Sequence, residues 1–358
     1  MSTATRSASG TSAPQDTVRV ERRLSRSATV GLYLAGIALG AGLSALTGFA
    51  VTSTVVYGVI LGTLAVYVTS RAVEGRRKAT DRLVTCLVTT AFGIAMVPLV
   101  SLVWTVLSKG LARLDGDFFG MSMFRIVGEG GGAYHAILGT VIITLLATAI
   151  SVPIGLLTAI YLVEYGTGRL KRGITFFVDV MTGIPSIVAG LFAFALFTLL
   201  FGNDFRAGVM GAVALSVLMI PVVVRSCEEV LKLVPNELRE ASYALGVPKW
   251  RTVVKVVLPT AIAGLGTGVT LAIARVVGET APLLITVGLI TGTNLNPFDG
   301  RMATLPVFAF YQLTQPGTAT QAFLDRAWTA ALVLIILVMA LNVVARLISR
   351  FFAPKTGR

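Results

Sequence analysis

Residues 27–70 form a run of 44 residues without a charged side chain. A helix that crosses about 30 Å of hydrocarbon needs about 20 residues, so this run fits two membrane crossings joined near residues 47–54. Seven further uncharged runs follow, at residues 83–108, 136–163, 180–203, 207–224, 256–274, 280–298 and 327–345. Runs of this length predict an all-α polytopic membrane protein.

The span count depends on the two runs 256–274 and 280–298. The only charged residues between them are Arg275 and Glu279, and we interpret the pair as one helix, about 262–288, with two charges inside the membrane. The prediction is then eight spans, two in an N-terminal hairpin and six after Arg82. The whole chain is only 13% charged, against about 25% in soluble domains.

The uncharged runs and the basic segments between them divide the chain into five predicted parts. The first part, residues 1–28, is rich in Ser, Thr, Ala and Arg, a composition that predicts a disordered tail. The parts are a cytoplasmic tail (1–28), a two-span hairpin (29–70), a basic cytoplasmic loop (71–82), a transmembrane domain (83–350) with a long loop at about 228–259, and a cytoplasmic tail (351–358).

The basic residues are distributed unevenly between the two predicted sides of the membrane. One side holds 23 Lys and Arg and the other holds six, with Arg275 inside a span. The positive-inside rule places both termini in the cytoplasm. The net charge of +13 therefore reflects topology and contact with anionic lipid headgroups, and it does not indicate a nucleic-acid partner.

Motifs for catalysis are absent from the sequence. It contains no GxxxxGK[ST], HExxH or GxSxG pattern, so we expect no enzymatic activity and no bound cofactor in this chain. A single histidine, His135, and two cysteines, Cys86 and Cys227, offer neither a metal site nor a disulfide framework. The glycine cluster at 128–132 is interpreted as a turn.

The loop between Arg225 and Pro259 is too long for a tight turn. Its apolar residues recur at helical spacing, and Gly246 and Pro248 interrupt the pattern, so a second helix is expected from near Lys249. The apolar positions are Leu238, Ala241, Leu245, Trp250, Val253 and Val254. Spacing alone leaves open whether they contact another protein or rest on lipid headgroups.

The same loop carries a recognisable motif. Glu240-Ala241-Ser242, then Gly246, then Val256-Val257-Leu258-Pro259 resembles the EAA loop of type I ABC importer permeases, with Ser at the third position and Val in place of Ile. Four other stretches are similar to the PstA-type permeases of bacterial phosphate importers. They are YLVEYG (161–166), TGIPSIVAGLF (182–192), SVLMIPVVVRS (216–226) and ARVVGETAPLL (274–284).

The resemblance covers about residues 83–350 and implies a six-span permease core in the bacterial plasma membrane. It implies import of inorganic phosphate, with a related PstC-type permease, ATPase subunits that hold ATP and Mg, and an extracellular phosphate-binding protein as partners. The loop would form a coupling helix that docks in the ATPase. Its implied coupling residues are Glu240, Ala241, Ser242, Gly246, Leu258 and Pro259.

Arg275 and Glu279 are four residues apart on the predicted helix, close enough to face each other. An ionised side chain at mid-membrane costs at least about 2.5–3.5 kcal/mol on insertion, so the presence of two charged residues in one span requires an explanation. One explanation is an ion pair that fixes helix packing. The other is a substrate pathway, in which Arg275 is a fork-shaped donor to an oxyanion beside Glu279 and Thr280.

A second candidate for the pathway is the segment from Thr182 to Ser186. Pro185 interrupts a predicted span, and interrupted spans are tolerated where they line a cavity. Thr182 and Ser186 then offer hydroxyls to an anion, or alternatively both bond back to their own helix. Asp179 is expected at the membrane boundary.

Alternative functions remain at this level. Another oxyanion such as sulfate or molybdate keeps the same class, although the GETAPLL and TGIPSIV stretches argue against it. An ion-driven secondary transporter would show two related halves, and no convincing internal repeat is found. The first two spans carry no inherited role, although the pairs Gly36/Gly40 and Gly58/Gly62 have the spacing that allows close helix approach and suggest that the hairpin docks against the core.

Overall fold

The computed structural model describes residues 24–46, 51–317 and 319–352, and the secondary structure of these residues is helical, with no β-strand. The predicted tails at 1–28 and 351–358 fall mostly outside them. The helices are α1 (Arg26–Leu46), α2 (Val51–Val73), α3 (Arg76–Gly110), α4 (Gly116–Gly120), α5 (Tyr134–Ile160), α6 (Gly168–Thr182), α7 (Ser186–Phe201), α8 (Gly208–Lys232), α9 (Asn236–Ala244), α10 (Lys249–Thr252), α11 (Leu258–Val277), α12 (Ala281–Thr286), α13 (Leu305–Thr314) and α14 (Thr320–Phe352).

The predicted all-α membrane fold is confirmed. In the described part of the chain, seven helical segments are long and apolar enough to cross a membrane, and an eighth is added if the bent pair α6–α7 counts as one span. The chain forms two compact units, residues 1–102 and 103–358, and their division falls within α3.

The span predicted at 180–203 is interrupted at Pro185, as the sequence indicates. Helices α6 and α7 meet at 107°, with Gly183, Ile184 and Pro185 between them. Proline has no N–H to donate to the carbonyl of Met181, and it disfavours the helical conformation in the residue before it. Pro185 adopts φ −59° and ψ 137° directly before α7.

The prediction of one continuous helix at about 262–288 is wrong. The structure ends α11 at Val277 and starts α12 at Ala281, so Gly278, Glu279 and Thr280 form a break. In a continuous helix the N–H of residue 282 would bond to the carbonyl of Gly278, and Pro282 has no N–H. Gly278 has a low helix propensity, which further disfavours a continuous helix at this point.

Within the first unit, glycines bring α1 and α2 into backbone contact. A Cβ on Gly36 would lie 2.3 Å from the Cα of Gly62, and one on Gly40 would lie 2.3 Å from the backbone N of Gly58. Small residues at such a crossing let two membrane helices pack by van der Waals contact. The two glycine pairs therefore hold the helices of the hairpin together.

Gly40→Ala is expected to separate α1 from α2, because its Cβ meets backbone that cannot rotate away; overpacking of this kind costs about 1–3 kcal/mol. The hydroxyls of Ser44 and Ser53 lie 2.7 Å apart, so cysteines at these two positions report the packing through disulfide formation. We expect about tenfold slower formation in Gly40→Ala. Gly42→Ala is the control, since no atom lies within 4 Å of a Cβ there, and equal rates in both variants would contradict the packing described.

The start of the hairpin is held by a buried ion pair. Arg82 Nε lies 2.6 Å from Glu74 Oε2, and the Glu74 side chain is 2% exposed. The same carboxylate accepts from Ser70 Oγ and from the backbone N–H of Leu24, while Arg82 donates to Thr29 Oγ1. The hydrogen bond from Arg82 lowers the pKa of Glu74 to about 2, so the carboxylate is charged at neutral pH.

In the second unit, α5, α8 and α11 form the centre of the helical core. Gly155 on α5 approaches Val223 on α8, and Gly264 and Gly268 on α11 approach Val230 and Ser226 on α8. The core between these helices consists of aliphatic side chains, including Ile143, Leu215, Met219, Val257, Leu265 and Val276. This packing fixes the ends of α5, α8 and α11, where the candidate site residues are found.

Candidate transport pathway and coupling surface

Arg275 and Glu279 lie on the two sides of a helix end. Arg275 is in the last turn of α11, where a cation is favoured by the helix dipole, and its side chain is exposed. Glu279 and Thr280 lie in the break before α12 and are half-buried. Among the described residues, neither Arg275 nor Glu279 makes a side-chain hydrogen bond or an ion pair, so the structure does not contain the mutual pair that one explanation requires.

The break brings the GETAPLL stretch against the TGIPSIVAGLF stretch. Helix α12 packs on α7, and the closest approach is between Pro282 and Gly190, where a Cβ on the glycine would lie 2.7 Å from the proline Cα. Two motifs about 90 residues apart in the chain therefore share one contact in the fold. Both contribute a helix break next to it.

The two hydroxyls of the TGIPS segment differ in their surroundings. Thr182 Oγ1 donates within its own helix, 2.7 Å from the carbonyl of Asp179, so the alternative that both hydroxyls bond back to their own helix holds for Thr182 only. Ser186 begins α7 and is half-buried, and its hydroxyl has no hydrogen-bond partner in the described part of the chain. Pro185 is exposed and sets the bend.

Asp179 takes part in a charged network between α6 and α8. Its carboxylate pairs with Arg225, which also bonds Glu228 at 2.7 Å. Lys232 Nζ lies 2.8 Å from the other oxygen of Glu228. The network ties the end of α6 to α8, although α6 and α7 diverge sharply.

The helix break at Gly246 and Pro248 falls where the sequence predicts it, but the predicted loop at about 228–259 starts later, because α8 extends to Lys232. Helix α9 ends near Ala244, Gly246 adopts φ +73°, and α10 begins at Lys249 after Pro248. A left-handed residue after a helix favours glycine. A π-helical turn at Val253–Val257 then leads into α11, with Leu258 half-buried and Pro259 exposed in the first turn.

The outward face of this segment is mixed in polarity. Glu240 and Ala241 are exposed, and Leu245 and Trp250 are 84% and 58% exposed. Ser242 points the other way: it is buried, and its hydroxyl lies 2.8 Å from that of Thr252. Of the predicted apolar positions, Val253 is also buried. Residues of the EAA motif thus divide between an open surface and an internal contact.

A family model for binding-protein-dependent transport system inner membrane components matches residues 151–358, which include all of these elements from the end of α5 onward. A curated relative, the phosphate transport system permease protein PstA 1 of Mycobacterium tuberculosis, is 48% identical over 286 residues, which are 79% of this chain and 91% of the relative. The chain belongs to the PstA family of permeases.

Other members of the PstA family are similar over comparable lengths. The protein from Mycobacterium leprae is 47% identical over 76% of this chain and 89% of its own length. The protein from Yersinia pestis is 37% identical over 78% and 92%. A solved structure of a bacterial ABC transporter involved in alginate import superposes with a TM-score of 0.54 at 11% identity, over 76% of this chain and 96% of that chain, which supports the permease fold alone.

Three charged residues of this PstA-family chain were missed by sequence reasoning. Arg239 and Glu164 form an ion pair of 2.9 Å, and Arg326 is buried at 1% exposure with its guanidinium bonded to the carbonyls of Gly128 and Gly130. The sequence contains a signal for two of them, because Glu164 directly follows a long uncharged run and Arg326 directly precedes another. Their partners lie far away in the chain and no local pattern indicates them.

Proposed function

We propose that this chain is a permease subunit that moves inorganic phosphate into the cell, driven by a separate ATPase. The observation that carries the proposal is the unpaired arginine and carboxylate at the break between α11 and α12, in a chain nearly half identical to phosphate transport permeases. A guanidinium presents five N–H donors in a fork that matches the oxygens of an oxyanion. An unpaired Arg275 is therefore free to bind a passing phosphate.

Glu279 supplies a basis for choosing among oxyanions. A protonated phosphate donates its O–H to the carboxylate while its other oxygens accept from Arg275. Sulfate has no such proton at neutral pH and meets only like charge. Thr280 and Ser186 are further hydroxyls close to the two helix breaks. Sulfate or molybdate as the natural substrate is the alternative that this arrangement disfavours.

Coupling is assigned to α9 and the turn after it. Glu240 and Ala241 on α9, with Leu245 and Trp250 beyond it, form an exposed surface of mixed polarity that suits a groove in an ATPase subunit. Gly246 sets the turn, and Leu258 and Pro259 begin the helix that carries Arg275 at its other end. A push on this surface is then transmitted along α11 to the break.

The proposed complex contains four kinds of protein. This chain pairs with a PstC-type permease, takes phosphate from an extracellular binding protein, and sits on ATPase subunits that bind ATP and Mg. With no nucleotide-binding motif in its sequence, the chain itself hydrolyses no ATP. We infer that both termini lie in the cytoplasm, and the distribution of basic residues supports this orientation.

The proposal is tested with the four components reconstituted in vesicles that contain no other transporter. ATP-dependent uptake of radiolabelled phosphate is the expected result, and uptake driven by an ion gradient without ATP would overturn it. Glu279→Gln should reduce the preference for phosphate over sulfate, because the amide no longer repels a fully deprotonated anion. Competition between the two anions measures the preference, and unchanged discrimination in this variant would remove Glu279 from the selection.

A further inference from the structure

Helix α9 lies entirely within the described part of the chain, and it buries almost no apolar surface against the rest of the second unit. Its one buried residue is Ser242, and its apolar side chains Leu238 and Tyr243 are exposed. A helix of nine residues is too short to be stable alone in water. Its position therefore depends on polar contacts made by its inward face.

Arg239 makes most of those contacts. Its Nε and Nη2 donate to one oxygen of Glu164 at 3.0 and 2.9 Å. Nη2 also donates to the carbonyl of Leu231 at 3.0 Å, and Nη1 donates to the carbonyl of Val234. The side chains of Arg239 and Glu164 are only 12% and 5% exposed, so water screens this pair little.

The partners of Arg239 belong to two different spans. Glu164 lies in the π-helical turn, residues Tyr161–Tyr165, that ends α5, whereas Leu231 lies in the last turn of α8. The carbonyl of Leu231 also accepts a long hydrogen bond, 3.4 Å, from the backbone N–H of Val234 directly after α8, so Arg239 adds a second donor to it. One guanidinium therefore joins α9 to the ends of α5 and α8 together.

The two inward residues of α9 are three apart and share a face. Arg239 connects the helix to α5 and α8, and Ser242 connects it to Thr252 on α10, ahead of α11. Glu240 and Ala241 lie between them in sequence and are exposed. The helix thus has one face open to a partner and another bonded to three spans.

We propose that Arg239 is a positioning residue for energy coupling, and that its ion pair with Glu164 makes α5 and α8 move with α9 when the ATPase moves. This inference rests on the proposed function. Its physical basis is that a buried charge pair cannot separate without leaving a charge unpaired in a medium of low dielectric constant. Movement of α9 is then shared by α5, α8 and α11 instead of passing to α11 alone.

Lysine cannot take the place of this arginine. The fork of Arg239 reaches a carboxylate and two carbonyls at once, whereas an ammonium is a point charge with no fixed fork. Arg239→Lys therefore keeps the charge but loses the geometry. Glu164→Gln keeps the shape but removes the charge that balances Arg239. Each variant changes one of the two partners of the Arg239–Glu164 ion pair, and neither alters the exposed face of α9.

The experiment compares phosphate transported per ATP hydrolysed in reconstituted complexes of the wild-type protein, Glu164→Gln and Arg239→Lys. We expect both variants to retain the ATPase subunits and to hydrolyse ATP, while phosphate moved per ATP falls about tenfold, within the 5- to 150-fold range of coupling between sites. The control is Arg172→Gln on α6, an exposed basic residue, in which the ratio should be unchanged.

Each outcome has one meaning. A ratio equal to the wild-type value in assembled Glu164→Gln complexes overturns the inference, even if less complex is recovered, because a purely structural role would lower the yield and not the ratio. If complexes with Arg239→Lys do not assemble, the ratio measured for Glu164→Gln alone tests the inference. Failure of the wild-type complex to move phosphate with ATP would instead overturn the proposed function, and that result is independent of both variants.

Discussion

Replacing Arg275 by alanine should reduce ATP-driven phosphate uptake about 10- to 150-fold, since a hydrogen bond to a charged group contributes about 1.5–3 kcal/mol. The side chain is exposed at the end of α11 and has no partner within the described part of the chain, so its loss leaves no buried group unsatisfied. The ATPase should still respond to the loaded binding protein. Uptake and ATP hydrolysis measured on the same vesicles separate the two effects.

Two further variants make the Arg275 result interpretable. Arg275→Lys retains the charge and should transport at an intermediate rate, because the fork that binds two oxygens at once is lost. Arg346→Ala removes an exposed arginine from α14 and should transport normally. Normal transport by Arg275→Ala would exclude this residue from the pathway and leave it as a cation at the C-terminal end of a helix.

Glu240→Lys should strongly reduce both transport and the stimulation of the ATPase by the loaded binding protein. The side chain is exposed on the open face of α9, and reversal of its charge places a repulsive group in the docking surface. We expect about a tenfold loss or more in each activity, in line with coupling free energies of about 1–3 kcal/mol. Parallel assays of ATP hydrolysis and phosphate uptake provide the measurement.

The matched control for this charge reversal is Glu229→Lys, an exposed acidic residue on α8. Exposed substitutions of this kind change stability by about 0.5 kcal/mol or less, so both variants should fold and insert equally. If Glu240→Lys lost transport but kept normal ATPase stimulation, α9 would not be the site that receives the signal. Glu240 and Arg275 are thus distinguished by ATPase stimulation, which only the first should remove.

The breaks in two spans show how far sequence reasoning reaches. Pro153 and Pro221 lie inside continuous helices, whereas Pro185 and Pro282 stand at breaks. Both breaks have a glycine within four residues before the proline, Gly183 in one and Gly278 in the other, whereas Gly155 on α5 follows Pro153. A proline alone is therefore compatible with a long membrane helix, because neighbouring groups can bond the carbonyl that it frees. The sequence indicated the break at Pro185, whereas the prediction of 262–288 as a single helix gave too little weight to Gly278 and Pro282.

The glycine loop before α5 was predicted as a turn, and the structure shows what holds it. Gly128 and Gly130 have φ values of +94° and +85°, as a turn allows. Their carbonyls accept from Arg326 Nη1, which lies 198 residues after Gly128 and 196 after Gly130. Since the sequence shows the arginine only as the charge before an uncharged run, nothing local connects it to the loop.

The sequence by itself determined which segments are apolar enough to cross a membrane, where the helix α9 is interrupted, and which family the chain resembles. These properties depend on local composition, on proline and glycine, and on a short motif. Only the tertiary structure showed that Arg275 and Glu279 are unpaired and that Arg239 reaches Glu164, 75 residues away. The reason is physical: a charge inside an apolar fold takes its partner from whichever helix the packing brings near, and packing joins residues that are distant in the chain.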